Sequence, residues 1–150
     1  MTHLRRALPG DAGAVRDLTR LAYAKWVPLI GREPLPMKAD YDHAIREHII
    51  DLCEEDGVLL GLIELVPAAD HLLIENLAVH PRQQNKGLGQ RLLTHAEYMA
   101  QALGLPEVRL YTNAAFASNL AFYERRGFTE YERKELVPGS FAVFMRKSMG

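Results

Sequence analysis

The feature that most constrains the fold is a change of hydrophobic period near the middle of the chain. Three runs rich in branched apolar residues follow one another at 49–54, 58–66 and 72–79. The polar segments between them have the length of hairpin turns, so the runs are predicted to form an antiparallel meander. Directly afterwards the apolar residues recur at helical spacing, which predicts a helix over 88–103.

The rest of the sequence adds helices and strands around this centre. A first amphipathic helix is predicted after Asp11, a candidate N-cap residue. Its apolar stripe consists of Ala14, Leu18, Leu21, Ala22 and Trp26. Further helices are predicted at 40–47 and 118–126, and further strands at 2–7, 108–112, 129–137 and 141–146. The order β-α-α-β-β-β-α-β-α-β-β predicts an α/β fold, in which a mixed sheet carries helices on both faces.

Length and composition fit one globular domain, expected over 1–150. The 150 residues are 48% hydrophobic and 25% charged, which is ordinary for a folded domain and argues against disorder. Eighteen Lys and Arg residues against nineteen Asp and Glu residues leave a net charge of −1. A chain with this balance lacks the broad basic surface that is typical of proteins that bind duplex nucleic acid, so no nucleic-acid partner is expected.

The chain contains one cysteine, Cys53, which excludes an internal disulfide and a cysteine-built zinc site. No apolar run approaches the roughly eighteen residues needed to cross a bilayer, and the N-terminus lacks the apolar segment of a secretory signal. These observations predict a cytoplasmic protein with no membrane partner. The histidines lack the spacing of metal ligands, so no metal is expected. The sequence leaves open whether the chain forms a homodimer.

Residues 77–89 carry the strongest functional signal. They lead from a buried strand through a short polar loop straight into a helix, and two glycines stand at the start of that helix. Glycine lets a ligand approach the backbone closely, and first-turn N–H groups have no intrahelical partner and lie at the positive end of the helix dipole. Such a junction binds phosphate or pyrophosphate. Lys86, with Arg82 and Arg91 nearby, is expected to add positive charge.

Two motifs indicate which phosphate-containing ligand this junction binds. A dinucleotide fingerprint needs a third glycine where Leu92 stands, and a P-loop needs a Gly-Lys-Ser/Thr continuation that is absent. Residues 84–89, Gln-Asn-Lys-Gly-Leu-Gly, match Gln/Arg-x-x-Gly-x-Gly/Ala. Residues 119–128 read Asn-Leu-Ala-Phe-Tyr-Glu-Arg-Arg-Gly-Phe, close to Asn-x-x-Ala-x-x-Tyr-x-x-x-Gly-Phe with the alanine displaced to Ala121. In these two motifs the chain resembles the GNAT superfamily of acetyl-CoA-dependent N-acetyltransferases.

The resemblance implies a mixed, mostly antiparallel sheet of about six or seven strands with about four helices on its two faces. It also implies that strand 72–79 splays away from strand 108–112, and that exposed amides and carbonyls of 77–79 bind the pantetheine arm of the coenzyme in the gap. The 84–89 loop then holds the pyrophosphate. The implied coenzyme-binding residues are Leu77, Ala78, Val79, Gln84, Asn85, Lys86, Gly87, Leu88, Gly89, Gln90, Asn119 and Tyr123.

Two residues of the second motif allow more than one interpretation. By its place in the motif, Tyr123 is the candidate acid that protonates the departing thiolate. Periodicity alone would make it a core aromatic on one stripe with Leu120 and Phe116. Asn119 serves either the coenzyme or the start of its helix as a cap.

Glu75 is the candidate general base. It is a carboxylate inside an apolar strand, where it is either solvated at a sheet edge or has a functional role. In the family a base often comes from this strand, and its best-known glutamate sits two residues earlier, where this chain has Leu73. Glu75 shares the face of Leu73 because strand side chains alternate. Water or another group remains the alternative base.

The resemblance also implies that the acceptor lies against the first two helices and the final hairpin. The residues placed there are Tyr23, Trp26 and Met37, with Asp40, Tyr41 and the region of Phe141. The same aromatics are also compatible with a core role. The implied activity is transfer of the acetyl group of acetyl-CoA to a primary amine, by direct attack in a ternary complex, with a small-molecule acceptor preferred. A protein or peptide acceptor and a non-catalytic acyl-CoA-binding module are the alternatives.

Overall fold

One mixed sheet organises the molecule in the computed structural model, which describes residues 2–150. The strands are β1 (His3–Arg6), β2 (Ile49–Glu55), β3 (Val58–Pro67), β4 (Leu72–Val79), β5 (Glu107–Asn113), β6 (Thr129–Val137) and β7 (Ser140–Ser148). Their order across the sheet is β1-β2-β3-β4-β5-β7-β6. Only β4 and β5 are parallel; every other neighbouring pair is antiparallel. The predicted meander, the final hairpin and the α/β fold class are confirmed.

Helices cover both faces of the sheet, as predicted. They are α1 (Ala12–Tyr23), the single-turn α2 (Val27–Ile30), α3 (Tyr41–Glu47), α4 (Leu88–Ala102) and α5 (Ala117–Arg125). One core lies between the sheet and α1 with α3, and it includes Leu18, Tyr41 and Ala78. The larger core lies between the sheet and α4 with α5, and it includes Leu92 and Tyr123. No helix within residues 2–150 is long and apolar enough to span a membrane.

The predicted stripe of α1 was wrong in part. Leu18 and Ala22 are buried, whereas Ala14 and Leu21 are exposed. The buried arc also contains Val15 and Thr19, because the helix starts at Ala12 and repeats from there at intervals of three or four residues.

Asp11 stands at the predicted N-cap position of α1, but its side chain makes no capping bond. Its carboxylate instead accepts from the Leu8 amide at 2.7 Å and pairs with Arg5 at 2.9 Å. The predicted C-terminal end of α1 needs correction. The α-helix stops at Tyr23, and Trp26 belongs to a 3₁₀ turn.

Two irregularities of β4 create the space for a site. β4 pairs with β5 only from Leu72 to Ile74, so the second half of β4 diverges from β5, as the resemblance implied. The β3–β4 ladder also skips Glu75 in a β-bulge. Because of the bulge, Ile74 packs in the α4-side core while Asn76 bonds to side chains of α1 and α3 on the other face.

Candidate active site

A cavity of about 570 Å³ lies in the gap between the diverging halves of β4 and β5. It is lined by the end of α1, the turns after it, the loop before α4, the start of α5 and the β6–β7 turn. Most of the residues predicted from sequence line it: Tyr23, Trp26, Glu75, Leu77, Val79, Gln84, Asn85, Gly87, Gly89, Gln90, Asn119 and Tyr123. The motifs and the acceptor side therefore meet in one place.

Four predicted binding residues lie outside the cavity lining. The side chains of Ala78 and Leu88 are buried in the two cores, and Lys86 is exposed to solvent. Met37 is buried in the 3₁₀ turn Leu35–Lys38 and its carbonyl accepts from Arg20 at 3.2 Å. Its neighbours in the same turn line the cavity instead.

The loop before α4 has the geometry of an anion site. Asn85 and Gly87 have left-handed backbones, with φ of 64° and 87°. Gly87 is the N-cap of α4 and offers no side-chain cap, so first-turn amides such as those of Gly89 and Gln90 are free to bind a ligand. A Cβ on Gly89 would lie 3.3 Å from Cζ of Phe122, so α5 packs against the bare glycine.

The cations beside this loop are not the ones expected from sequence. Arg91 turns away to Thr2 and the sulfur of Cys53, and Arg82 and Lys86 are exposed outside the cavity. Two cations from other elements bond to side chains of the loop and of the first turn of α4 instead. Sequence spacing gives no signal for either.

Arg126 of the α5–β6 turn is the first of these cations. Its guanidinium lies 3.8 Å over the Phe122 ring and donates to the Phe122 carbonyl at 3.1 Å and to Gln90 at 3.3 Å. Its Nε is buried and has no partner among residues 2–150. An unpaired buried donor that lines a cavity suits an anionic ligand.

Lys25 is the second cation. Its Nζ donates to Oε1 of Gln84 at 2.9 Å and lies 4.9 Å from the centre of the Trp26 ring. Burial lowers the pKa of Lys25 below its usual value. The Trp26 ring in turn stacks on Phe116 at 4.2 Å, which joins the turn after α1 to the start of α5 across the cavity.

The free edge of β4 is partly occupied by side chains. His80 donates its amide to Leu60 of β3, so by alternation Val79 and Leu77 direct their backbone groups into the gap. The Leu77 carbonyl accepts from the Tyr23 hydroxyl at 3.4 Å, and the Val79 carbonyl accepts from Gln84 at 3.2 Å. The expectation that carbonyls of 77–79 are free for a ligand therefore needs amending, and the amides of Leu77 and Val79 are the groups left.

Glu75 stands where β4 and β5 separate. Its carboxylate is half-buried and Oε1 accepts from the Tyr111 hydroxyl of β5 at 2.9 Å. Burial, reinforced by the negative charge of Glu75, raises the pKa of Tyr111, so the phenol keeps its proton. No local sequence signal distinguishes Tyr111 from any other strand tyrosine.

A buried polar cluster surrounds Asn76, the residue after Glu75, on the α1 side of the sheet. Asn76 donates to Thr19 at 3.1 Å and to Tyr41 at 3.2 Å, and accepts from Tyr23 at 2.9 Å. Burial raises the pKa of Tyr41 to about 12. Tyr41 lies outside the cavity lining, as does Asp40, whose side chain caps α3 by accepting from the His43 amide at 3.2 Å.

Tyr123 belongs to a core and to the cavity at once. Its ring packs edge-on against Phe122 and Phe128, with centroids 5.3 and 5.9 Å away. Its hydroxyl has no hydrogen-bond partner in the part of the chain that the structure describes, and burial raises its pKa. Asn119 lines the cavity and does not cap α5, whose N-cap is Phe116.

Comparison with known proteins identifies the family. The family model described as acetyltransferase (GNAT) family matches residues 15–128, which is more than half of the chain. The chain therefore belongs to the GNAT family of acetyltransferases, and its enzyme class is acyltransferase.

Individual relatives extend over different shares of the chain. The S-(2-succino)cysteine N-acetyltransferase of Bacillus subtilis is 29% identical over 97% of this chain and 94% of its own length. The spermidine N(1)-acetyltransferase of Thermoplasma acidophilum is 33% identical over 49% of this chain and 45% of its own length. The solved structure of the PaiA N-acetyltransferase from Thermoplasma acidophilum, in complex with coenzyme A, has a TM-score of 0.85 and 22% identity over 99% of each chain. That likeness shows the fold alone.

Proposed function

We propose that this enzyme transfers the acetyl group of acetyl-CoA to the primary amine of a small molecule, by direct attack within a ternary complex. One observation carries the proposal. A single cavity joins an uncapped glycine junction at the start of α4 to a carboxylate, Glu75, at the point where β4 and β5 separate. The junction suits the pyrophosphate of the coenzyme, and the carboxylate suits an amine.

The coenzyme end of the cavity fits its proposed ligand. The amides of Leu88, Gly89 and Gln90 would hold the pyrophosphate, and the guanidinium of Arg126, which lines the cavity, would bind a phosphate oxygen. The backbone amides of Leu77 and Val79 would bind the pantetheine arm as a neighbouring strand does. One of these amides, placed at the thioester carbonyl, would stabilise the charge that develops on its oxygen. A crystallised structural neighbour that holds coenzyme A supports this assignment.

Two protons must move during the reaction. An alkyl amine with a pKa near 10.4 is almost fully protonated at pH 7, which lies about three units below that pKa. A base must therefore remove a proton from the amine before it can attack. Glu75, held in place by Tyr111, accepts that proton directly or through water. Tyr123, a buried phenol with an unbonded hydroxyl, donates a proton to sulfur as the C–S bond breaks.

A small acceptor is favoured over a polypeptide. The Trp26–Phe116 stack and the β6–β7 turn both border the cavity, and its volume of about 570 Å³ lies within the range of small-molecule sites. The relatives named for S-(2-succino)cysteine and spermidine also act on small molecules. The buried, unpaired thiol of Cys53 is compatible with a reducing compartment, and we place the enzyme in the cytoplasm.

Two measurements test the proposal. Acetyl-CoA should raise Tm by mass action, and free thiol should be released when a panel of primary amines is added. Gly89→Val should abolish the Tm shift, because its side chain meets Phe122 and blocks backbone approach. Gly13→Ala is the control, since Gly13 lies on the exposed face of α1 with open space around it. A Tm shift without thiol release from any amine would show a binding module instead of an enzyme.

A further inference from the structure

The charges that line the cavity are strongly unequal. Four basic residues face it, and Glu75 is its only acidic residue within 2–150; the basic residues are Lys25, Arg32, Arg125 and Arg126. Lys25 and Arg126 bond to Gln84 and Gln90, next to the glycine junction, where coenzyme phosphates are expected. Arg32 bonds to neither residue and belongs to a different part of the cavity.

Arg32 has one weak partner and no counter-ion. It follows the left-handed Gly31 that ends α2, and its Nη2 donates to Oγ of Ser140 at 3.2 Å. No carboxylate of residues 2–150 pairs with its half-buried guanidinium. Two other half-buried arginines do have such partners: Arg5 lies 2.9 Å from Asp11, and Arg109 lies 2.5 Å from Glu107. Most of the five N–H donors of Arg32 therefore remain free, in the fork geometry that matches a carboxylate.

The position of Arg32 is tied to that of Glu75 through β5. Asn113 donates to the same Ser140 oxygen at 3.0 Å, and Tyr111 donates to Glu75 at 2.9 Å. Tyr111 and Asn113 are two residues apart, so they share a strand face and lie about 7 Å from each other along β5. The carboxylate of Glu75 and the free guanidinium of Arg32 both line the cavity, and side-chain hydrogen bonds link both to the same face of β5.

We propose that the acceptor is an amine that carries a carboxylate, as an amino acid does, and that Arg32 binds this carboxylate while the amine lies at Glu75. The inference rests on the proposed function and names its substrate class. Arg32 determines specificity and takes no part in the proton transfers. Ser140 and Asn113 hold the guanidinium toward the acceptor.

Matched acceptor pairs test the assignment. We suggest comparing kcat/KM for S-(2-succino)cysteine, L-methionine and L-glutamate with kcat/KM for their α-carboxamides, and including spermidine as an amine without a carboxylate. Removing the neighbouring carboxylate lowers the pKa of the amine and increases its free-base fraction, so chemistry alone favours the amides. We expect at least one acid to be preferred over its amide by about 10-fold or more, because a guanidinium–carboxylate bond is lost in the amide.

Variants of Arg32 test whether this residue causes the preference for the acid over its amide. Arg32→Met should lower kcat/KM for the acid by about 10- to 100-fold, leave the amide unchanged and leave acetyl-CoA affinity unchanged. Arg32→Lys should restore part of the preference, since it keeps the charge but loses the fork. Arg16→Met is the control, because Arg16 is exposed on α1 outside the cavity and, among residues 2–150, bonds only to Asp17.

The outcomes separate this inference from the proposed function. Equal kcat/KM values for acids and amides, an acceptor range limited to spermidine-like amines, or weakened acetyl-CoA binding in Arg32→Met would overturn the role of Arg32. Acetylation of other amines would leave the proposed function standing in those cases. Absence of thiol release with every amine would overturn both.

Discussion

The hydroxyl of Tyr111 donates a 2.9 Å hydrogen bond to Oε1 of Glu75 across the point where β4 and β5 separate. Two strands that have stopped pairing are thus held together by one side-chain bond. Oε2 of Glu75 makes no hydrogen bond to any residue in the described range 2–150, and Glu75 lines the cavity. An acceptor amine, or a water between it and the enzyme, therefore has a fixed oxygen to bind.

Glu75→Gln should lower kcat/KM most at neutral pH and recover part of the loss toward pH 9. The amide oxygen of glutamine can still accept from Tyr111, so the geometry is kept while the base is lost. Rising pH deprotonates the free amine and replaces the missing base, and the loss near pH 7 should be about 10²- to 10⁴-fold. Steady-state pH profiles of the two enzymes measure it.

The control for this profile is Glu124→Gln, an exposed position on α5 outside the cavity. It should match the wild-type profile at every pH. If Glu75→Gln turns over at the wild-type rate across pH 6–9, Glu75 has a structural role and water or another group is the base.

The main elements of the fold were predictable because each depends on local sequence. The three β runs and the helix after Pro81 show their periods within windows of eight to sixteen residues. The glycine junction at Gly87 was also predictable, because a positive φ at a helix start demands glycine there. The bulge at Glu75 was not, because it depends on the register that β4 adopts against β3.

The site could be predicted only where it is contiguous in sequence. Gln84 to Gln90 form one segment, so their motif indicates their place. Arg32 and Ser140 are 108 positions apart, and only the sheet order brings β7 beside β5 and within reach of Arg32. Lys86 is the opposite case: it lies within the motif in sequence, yet it is exposed and does not line the cavity.

Arg126→Met should weaken acetyl-CoA binding by about 10-fold or more while leaving the free enzyme as stable as the wild type. The substitution removes the phosphate donor, but it also removes a buried Nε that has no partner within residues 2–150. The gain from removing that unpaired donor offsets the lost bonds to Phe122 and Gln90, so Tm should change by no more than about 3 °C.

Titration of the Tm shift with acetyl-CoA tests this, with Arg133→Met as the control. Arg133 is exposed on β6 and pairs only with Glu130, at 2.8 Å. Unchanged coenzyme affinity in Arg126→Met would remove Arg126 from the binding site.

Glu64→Gln should make the protein more stable than the wild type at pH 8 and should bring the two closer at pH 4. Glu64 is buried on β3, where burial, with the nearby charge of Glu75, raises its pKa even though His48 bonds to it at 2.5 Å. A raised folded-state pKa means that folding favours the protonated acid. The stabilisation is present below the unfolded pKa, near 4.3, and is lost as pH rises through the folded pKa.

Thermal unfolding at pH 4 and pH 8 measures the difference in Tm for both proteins. Glu135→Gln, on the exposed edge strand β6, is the control and should show no such divergence. A Glu64→Gln protein less stable than the wild type at pH 8 would show that the bond between His48 and the ionised carboxylate outweighs the cost of burying it.

Tyr123→Phe should lower kcat by about 10²-fold, near the lower end of general acid catalysis, without changing acetyl-CoA affinity or Tm. The effect is at the lower end because burial raises the pKa of the phenol above its usual 10, so donation to a thiolate with a pKa near 8.5 is less favourable than in water. The hydroxyl has no partner among residues 2–150, so its removal strands no group, and the phenylalanine ring keeps its contacts with Phe122 and Phe128. Because the phenol stays protonated throughout pH 6–9, the loss should be constant over that range, in contrast to Glu75→Gln.

Tyr123→Ala is the comparison variant, and it should also lower Tm, since it empties part of the α4-side core. A normal kcat for Tyr123→Phe, with chemistry limiting turnover and only Tyr123→Ala impaired, would assign Tyr123 to packing alone.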